Sequence, residues 1–259
     1  MIIAISGKKN SGKDTVGKII QYLTTNFSKE LKFKEFTGED ISHEAMMNYI
    51  MHTQEISKWK IKKFATIPKQ MLCLMLGCTM KDLENREFKE KELGEEWWYI
   101  DIYNKKYPYS RKDEFVQGEI EKHLVKPTVR QFMTTLGTDF GRNMIGKNTW
   151  VNALFKQYKL EDNRDFLNPD VDGEYPNWII TDLRFPNELE AVKDRKGITI
   201  RVNRKVKNWS EAIQYLPSLK HESETALDNA EFDYTIDNDS SIEDLIEKVR
   251  LILEQENLL

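Results

Sequence analysis

The feature that most constrains this chain lies at its start. Ile2-Ile3-Ala4-Ile5-Ser6 is an apolar, β-branched run that opens directly into Gly7-Lys8-Lys9-Asn10-Ser11-Gly12-Lys13, a GxxxxGK loop. From Lys13 the sequence reads KDTVGKIIQYL, with Val16, Ile19, Ile20 and Leu23 at helical spacing. A buried strand, a glycine loop and an amphipathic helix in that order predict the first unit of a parallel α/β sheet. In that setting the loop's backbone N–H groups turn inward on an anion, and the helix N-terminus adds a favourable partial charge. The expected ligand is the phosphate chain of a nucleotide, cradled by Gly7, Lys8, Asn10, Ser11, Gly12, Lys13, Asp14 and Thr15. Lys13 is the cation that reaches the outer phosphates. Where a Ser or Thr hydroxyl usually holds Mg²⁺, this chain has Asp14. Two readings stand open: Asp14 ligates the metal itself, since carboxylates suit Mg²⁺, or Thr15 does so. Asp14 also sits well as a negative charge in a first helical turn.

The remaining pattern extends the same architecture. Residues 37–165 read as mostly helical over Glu39 to Lys63, Ile67 to Leu76, Val129 to Leu136 and NTWVNALFKQYKL, the last with Asn148 as N-cap. The aromatic run Trp97 to Tyr103 interrupts them as an edge strand or hairpin, followed by an exposed charged loop that suits a flap or a surface insertion. Strands return at Trp178 to Asp182, Ile198 to Val202 and Tyr234 to Asp237. Between the first two lies a helix with Pro186 near its start and Gly197 beyond its end, and a closing helix runs from about Ile242. Residues 204–230 read as polar and irregular, with a short helix around Ser210 to Tyr215. The fold class is therefore α/β: a P-loop NTPase-type three-layer fold, a parallel sheet flanked by helices. Its core is 1–36 with 166–259, and 37–165 is a large, mostly helical substrate-binding and lid insertion. The carboxyl ends of the strands at 2–6 and 178–182 should share one edge.

Composition narrows the partners. Charged residues make up 32% of the 259, yet the formal net charge is only −4, which gives no reason to expect nucleic-acid or membrane binding. The longest apolar runs fall far short of the ~20 residues of a membrane helix. With no basic leader and no small-residue cleavage site, the expectation is a soluble protein of the cytoplasm, or of a host's cytoplasm if phage-encoded. Cys73 and Cys78 lie in the apolar stretch IPKQMLCLMLGC and read as buried, reduced thiols. The four histidines (His43, His52, His123, His221) show no metal spacing, and HESE at 221–224 reads as a helix entry or a structural turn.

Other charged groups suit phosphate chemistry. Asp182 closes an apolar strand, where an acid can organise metal water, and Arg184 follows two residues later. Arg130 and Arg142 flank a predicted Gly137-Thr138 turn, and Arg86 stands in LENREFKE. Arginine suits bidentate phosphate contact, so the set points to a second phosphate-bearing substrate.

At these residues the chain resembles the deoxynucleoside monophosphate kinases of bacteriophages. The matching pieces are SGKKNSGKDT (6–15), LENREFKE (83–90), VRQFMTTLGTDFGR (129–142), NTWVNAL (148–154), IITDLRFPNELEAVK (179–193), HESE and TIDNDSSIEDL (235–245). That family also reads GKDT in its loop. The resemblance implies transfer of the γ-phosphoryl of ATP, with Mg²⁺, to a deoxynucleoside 5′-monophosphate. It assigns ATP phosphates to Lys13 and the loop amides. Arg86, Arg130 and Arg142 would hold the monophosphate or clamp the transferring group, with Trp150 a further candidate substrate contact. Asp182 would organise metal water, Arg184 would face the phosphates, and Asn238 would contact adenine. Lys13, Arg130, Arg142, Asp182 and Arg184 are thus the candidate catalytic residues, and Asp14, Thr15 and Asp182 the candidate metal ligands. The partners expected are small nucleotides, and the run at 97–103 is a candidate homodimer interface. The alternatives are a related kinase of the dephospho-coenzyme A or phosphomevalonate type, or a nucleotide-binding module without turnover.

Overall fold

The computed structural model describes residues 1–25, 32–37, 58–102, 105–108, 123–159, 174–205 and 222–259. In chain order its strands are β1 (Ile2–Ser6), β2 (Trp59–Lys62), β3 (Tyr99–Ile102), β4 (Lys105–Pro108), β5 (Leu124–Val125), β6 (Asn177–Leu183), β7 (Ile198–Asn203) and β8 (Tyr234–Asp237). Five of them form one sheet, ordered β2-β6-β1-β7-β8, with every neighbouring pair parallel.

Burial explains this order. β1 is buried along its whole length, as a central parallel strand must be. Because side chains alternate between faces, the sheet has two apolar surfaces. One carries Ile3, Ile5, Ile179, Ile200, Val202 and Ile236. It packs on Val16, Ile19, Ile20 and Leu23 of α1 (Lys13–Leu23), and on Leu245, Val249 and Leu253 of the C-terminal helix Ile242–Gln255. The other face carries Ile2, Ala4, Trp178, Ile180 and Leu183. It packs on Leu154 and Phe155 of the helix Thr149–Phe155, on Leu189 and Val192 of the helix Pro186–Lys193, and on Leu227. The result is the expected three-layer arrangement. β1 and β6 run side by side, with Ser6 opposite Leu183, so their carboxyl ends share one edge.

The chain divides into two compact units, Met1–Phe64 with Val151–Leu259, and Ala65–Trp150. The division falls inside the stretch 37–165 that the sequence marks as an insertion. The cause is apolar: Trp59 of β2, and Val151, Leu154 and Phe155, contribute to the sheet's two cores. Residues 39–57 of the predicted helix Glu39 to Lys63 lie outside the described residues, and its end is corrected to strand. Trp59 is buried and Ile61 half-buried against the core, whereas Lys60 is exposed, a period-2 pattern on an edge strand that lysine protects from further pairing.

The second unit has its own core of Leu72, Leu83, Val129 and Leu136. Its helix Thr66–Leu76 ends at Gly77, whose left-handed φ of 63° closes the turn. Cys73 and Cys78 are free thiols, half-buried against this core rather than fully enclosed. The aromatic run gives a hairpin, β3 with β4, but β3 is the middle strand of an antiparallel sheet ordered β4-β3-β5 and not an edge. Residues 109–122 of the expected flap lie outside the described residues, as do the predicted helix at 210–215 and His221. Glu222–Thr225 is helical, as a helix entry at HESE requires.

The predicted Gly137-Thr138 turn is also corrected. The helix Val129–Thr134 continues as a π-helical stretch, Thr135–Ile145. Gly141 serves close approach here: a Cβ on it would lie 2.2 Å from the Trp150 ring. The Trp150 indole N–H donates to the Gly137 carbonyl at 2.7 Å. A regular α-helix would give that carbonyl to residue 141, so the indole and the wide turn go together.

Among the described residues no helix is long and apolar enough to cross a membrane. Within α1, Gly17 lets the helix lie close to β6, where a Cβ would meet Thr181 Cγ2 at 2.6 Å. Gly17→Val therefore overpacks a fully buried contact. It should cost about 1–3 kcal/mol of stability, read as a lower urea midpoint with an unchanged slope.

Candidate active site

The glycine loop leaves β1 at its carboxyl end and enters α1 without a side-chain cap. Gly12, at the N-cap position, has φ 102°, and a Cβ there would strike Asn238 Nδ2 at 2.4 Å. Glycine is thus required twice over, by backbone and by space. Asn10 takes the left-handed conformation with φ 61°, which asparagine tolerates. The turn is closed by the Ser11 N–H donating to the Lys8 carbonyl at 3.1 Å. Asn238 donates to the Ser11 carbonyl at 2.9 Å, and Arg204 to that of Asn10 at 3.3 Å. Asn238 therefore braces the loop through the amide group that the sequence reading assigns to a base.

Inside the loop, Ser11 Oγ is buried with no hydrogen-bond partner. A buried hydroxyl left unsatisfied within a glycine loop fits a site that an anion completes. Lys13 is only 8% exposed, and its ammonium donates to the Gly7 and Lys8 carbonyls, both at 2.7 Å. Burial pushes its pKa down to about 8, aided by the charge of Arg184 and opposed by Glu224 and Asp14. A lysine folded onto its own loop can exchange those carbonyls for phosphate oxygens without a large movement.

At the metal end, Asp14 Oδ1 accepts from Thr181 Oγ1 at 2.7 Å and pairs with Lys63 Nζ at 2.8 Å. Burial acts to raise the Asp14 pKa. Hydrogen bonds from Lys63 and Thr181, with the charges of Lys63 and Lys13, outweigh it and hold the carboxyl below the ordinary aspartate value. The Asp14 side chain remains 65% exposed. Thr15 follows in the same helical turn, half-buried. Asp182 does not face Asp14 through a hydrogen bond of this kind; its Oδ1 accepts the backbone N–H of Phe64 at 2.9 Å. Among the described residues no cluster of three or more His, Cys, Asp or Glu gathers to cage a metal. That donor set suits Mg²⁺, which binds through one or two carboxylates with phosphates and water completing the shell.

Arg184 leaves β6 beside the loop, its backbone N–H and that of Phe185 held by the buried Glu188 carboxylate at 2.8 and 3.1 Å. Its guanidinium bonds Glu224, whose other oxygen accepts the Lys9 backbone N–H at 2.7 Å. Four residues on, Asp228 pairs with Lys8 at 3.3 Å and with Arg201 at 3.0 Å, and Arg201 also donates to Ser6 Oγ. The segment Glu224 to Asp228 thus lays two carboxylates against the loop's cations. Sequence reasoning gave no role at the loop to Lys63, Thr181, Arg201, Glu224 or Asp228, although HESE at 221–224 stood out as a motif. For Thr181 a signal existed: strand alternation puts it on the face of Ile179, toward α1. The others are placed by tertiary structure alone.

The structure thus brings Gly7 to Thr15, Asp182, Arg184 and Asn238 to one edge of the first unit. The remaining candidates belong to the second unit. Arg86 begins the helix Arg86–Glu90, capped by Asn85, and is exposed. Arg130 lies in the first turn of a helix capped by Thr128 and Gln131 and pairs with Glu90 at 2.7 Å. Arg142 is half-buried in the π-helical stretch. Trp150 is 7% exposed and commits its N–H to Gly137, which is a packing role.

Comparison with known proteins agrees with this geometry. A family model described as deoxynucleotide monophosphate kinase matches residues 1–249. The deoxynucleotide monophosphate kinase of Escherichia phage RB69 is 24% identical over 281 aligned positions, covering 97% of this chain and 99% of its own. That of Enterobacteria phage T4 is 24% identical over 273, covering 96% and 97%. With a family model spanning nearly its whole length, the chain belongs to the deoxynucleotide monophosphate kinase family, a family of phosphotransferases.

Proposed function

We propose that the protein transfers the γ-phosphoryl group of ATP, in the presence of Mg²⁺, to deoxynucleoside 5′-monophosphates, giving diphosphates, as a soluble cytoplasmic enzyme. The observation that carries this reading is the loop itself: a buried lysine within reach of the Arg184 charge, an unsatisfied buried hydroxyl and an acid in the first turn after the lysine. The loop amides and Lys13 hold the donor's phosphates, Lys13 leaving the Gly7 and Lys8 carbonyls to do so. Asp14 or Thr15 holds Mg²⁺, with Asp182 toward its water. When bound, the ion screens charge between the β- and γ-phosphoryl oxygens. Arg184 neutralises charge on the transferring group, while Arg86, Arg130 and Arg142 bind the acceptor's phosphate.

No general base is needed, because the acceptor oxygen is already anionic. That oxygen forms the new P–O bond as the bond to the β-phosphate oxygen breaks, and ADP leaves. The protein's work is alignment and charge compensation. Water must be excluded for the acceptor to compete with it, a task for residues 65–150.

Two outcomes test the reading. In an ADP-release assay with each deoxynucleoside monophosphate offered separately, at least one should be turned over, and Lys13→Ala should lose at least ~10²-fold in kcat/KM. Turnover of dephospho-coenzyme A or phosphomevalonate instead, or of no acceptor, would refute it. The second outcome concerns protons. A phosphate chain beside Lys13 favours the ammonium and raises its pKa from about 8. Nucleotide binding at pH 8 should then take up a fraction of a proton, and affinity should fall as pH rises above 8. Calorimetry in two buffers of different ionisation heat measures the uptake, and Lys13→Met should abolish it.

A further inference from the structure

Lys63 belongs to no motif, yet its backbone is fixed on both sides. Lys62 ends β2 opposite Ile180 of β6, and Phe64 is anchored by its N–H on Asp182 and by its buried ring in the core. Between these points the Lys63 ammonium reaches Asp14 Oδ1 at 2.8 Å, the same oxygen that accepts from Thr181.

We propose that Lys63 is the built-in counter-ion of Asp14, a positioning residue that holds the carboxylate at the mouth of the phosphate loop and yields it to a divalent cation. The inference rests on the reading above, in which the donor arrives with such a cation. Its physical cause is the replacement at residue 14. A hydroxyl at that position carries no charge when the metal is absent, whereas a carboxylate beside incoming phosphates repels them unless a cation answers it. Lys63 supplies that cation in the metal-free protein. Thr181 and Lys63 together take both lone pairs of Oδ1, so a divalent ion at that oxygen must displace the ammonium, and one at Oδ2 still competes with it for the carboxylate's charge. Asp182 contributes indirectly, because its bond to the Phe64 N–H sets where the lysine begins its reach.

The test uses the full chain with a non-hydrolysable ATP analogue, and Mn²⁺ as the cation. The free Mn²⁺ remaining in a titration, read by its paramagnetic resonance signal, gives the concentration at which half the complex holds metal. Lys63→Met should lower that midpoint about 2- to 5-fold, the range of an exposed ion pair. Lys63→Arg should leave it near the parent value. In an Asp14→Asn background the Lys63→Met shift should vanish, which separates direct competition from a general change of charge. Lys63→Gln serves as a second neutral variant if Lys63→Met melts early. An unchanged or raised midpoint in the neutral variants overturns the proposal. If the parent chain takes up no analogue with Mn²⁺, the nucleotide reading fails first and the inference falls with it.

Discussion

Ser6 lies opposite Leu183 in one parallel pair and opposite Arg201 in another, and the site depends on that adjacency. β1 is buried on both faces between β6 and β7, so a slip of one residue would push every side chain into a core packed for its neighbour. Once it is held, the geometry of the edge follows. The loop after Ser6, the arginine after Leu183 and the guanidinium of Arg201 must lie side by side, although they are far apart in sequence. Gly17 then allows α1 to settle against β6 so that Asp14 meets Thr181.

A second regularity is electrical. The cations around the loop already have partners: Lys13 on two carbonyls, Arg184 on Glu224, Lys8 and Arg201 on Asp228, Lys63 on Asp14. Concentrating unpaired positive charge at one sheet edge would destabilise the fold, and the acids of 224–228 offset that cost. Each partner is also an anion or a carbonyl oxygen, the same chemistry that a phosphate oxygen presents. Binding can therefore proceed as an exchange of oxygens around cations that stay nearly in place.

The sheet was legible because its signals are local. β1 is a continuous apolar run, β6 carries Trp178-Ile179-Ile180, β7 alternates Ile198, Ile200 and Val202 with polar residues, the helix Pro186–Lys193 is bracketed by Pro186 and Gly197, and the loop is a fixed spacing. β2 was not, since WKIK is four residues long and follows a stretch that reads as helix. The π-helical stretch was hidden for a different reason: Gly137 and Gly141 look like breakers, whereas the Trp150 ring needs the small residue at Gly141 and its N–H takes the Gly137 carbonyl. The site was legible where the backbone defines it, from Gly7 to Thr15. Its salt bridges depend on which side chains the topology brings together, and a single sequence carries no local sign of that. Asp182 shows the limit well, because its position at a strand end was readable while its bond to Phe64 was not.

The unit that carries the loop is discontinuous, Met1–Phe64 with Val151–Leu259, whereas Ala65–Trp150 is one continuous stretch with its own core. During synthesis the glycine loop therefore emerges well before the strands and side chains that become its neighbours. At ~5–20 residues per second, β6 follows β1 out of the ribosome by roughly ten to thirty seconds. Through that interval the apolar strand Ile2–Ser6 has none of its final sheet partners on either side. The continuous unit can condense in the meantime, so the order of assembly runs opposite to the order in which the chain displays its most informative residues.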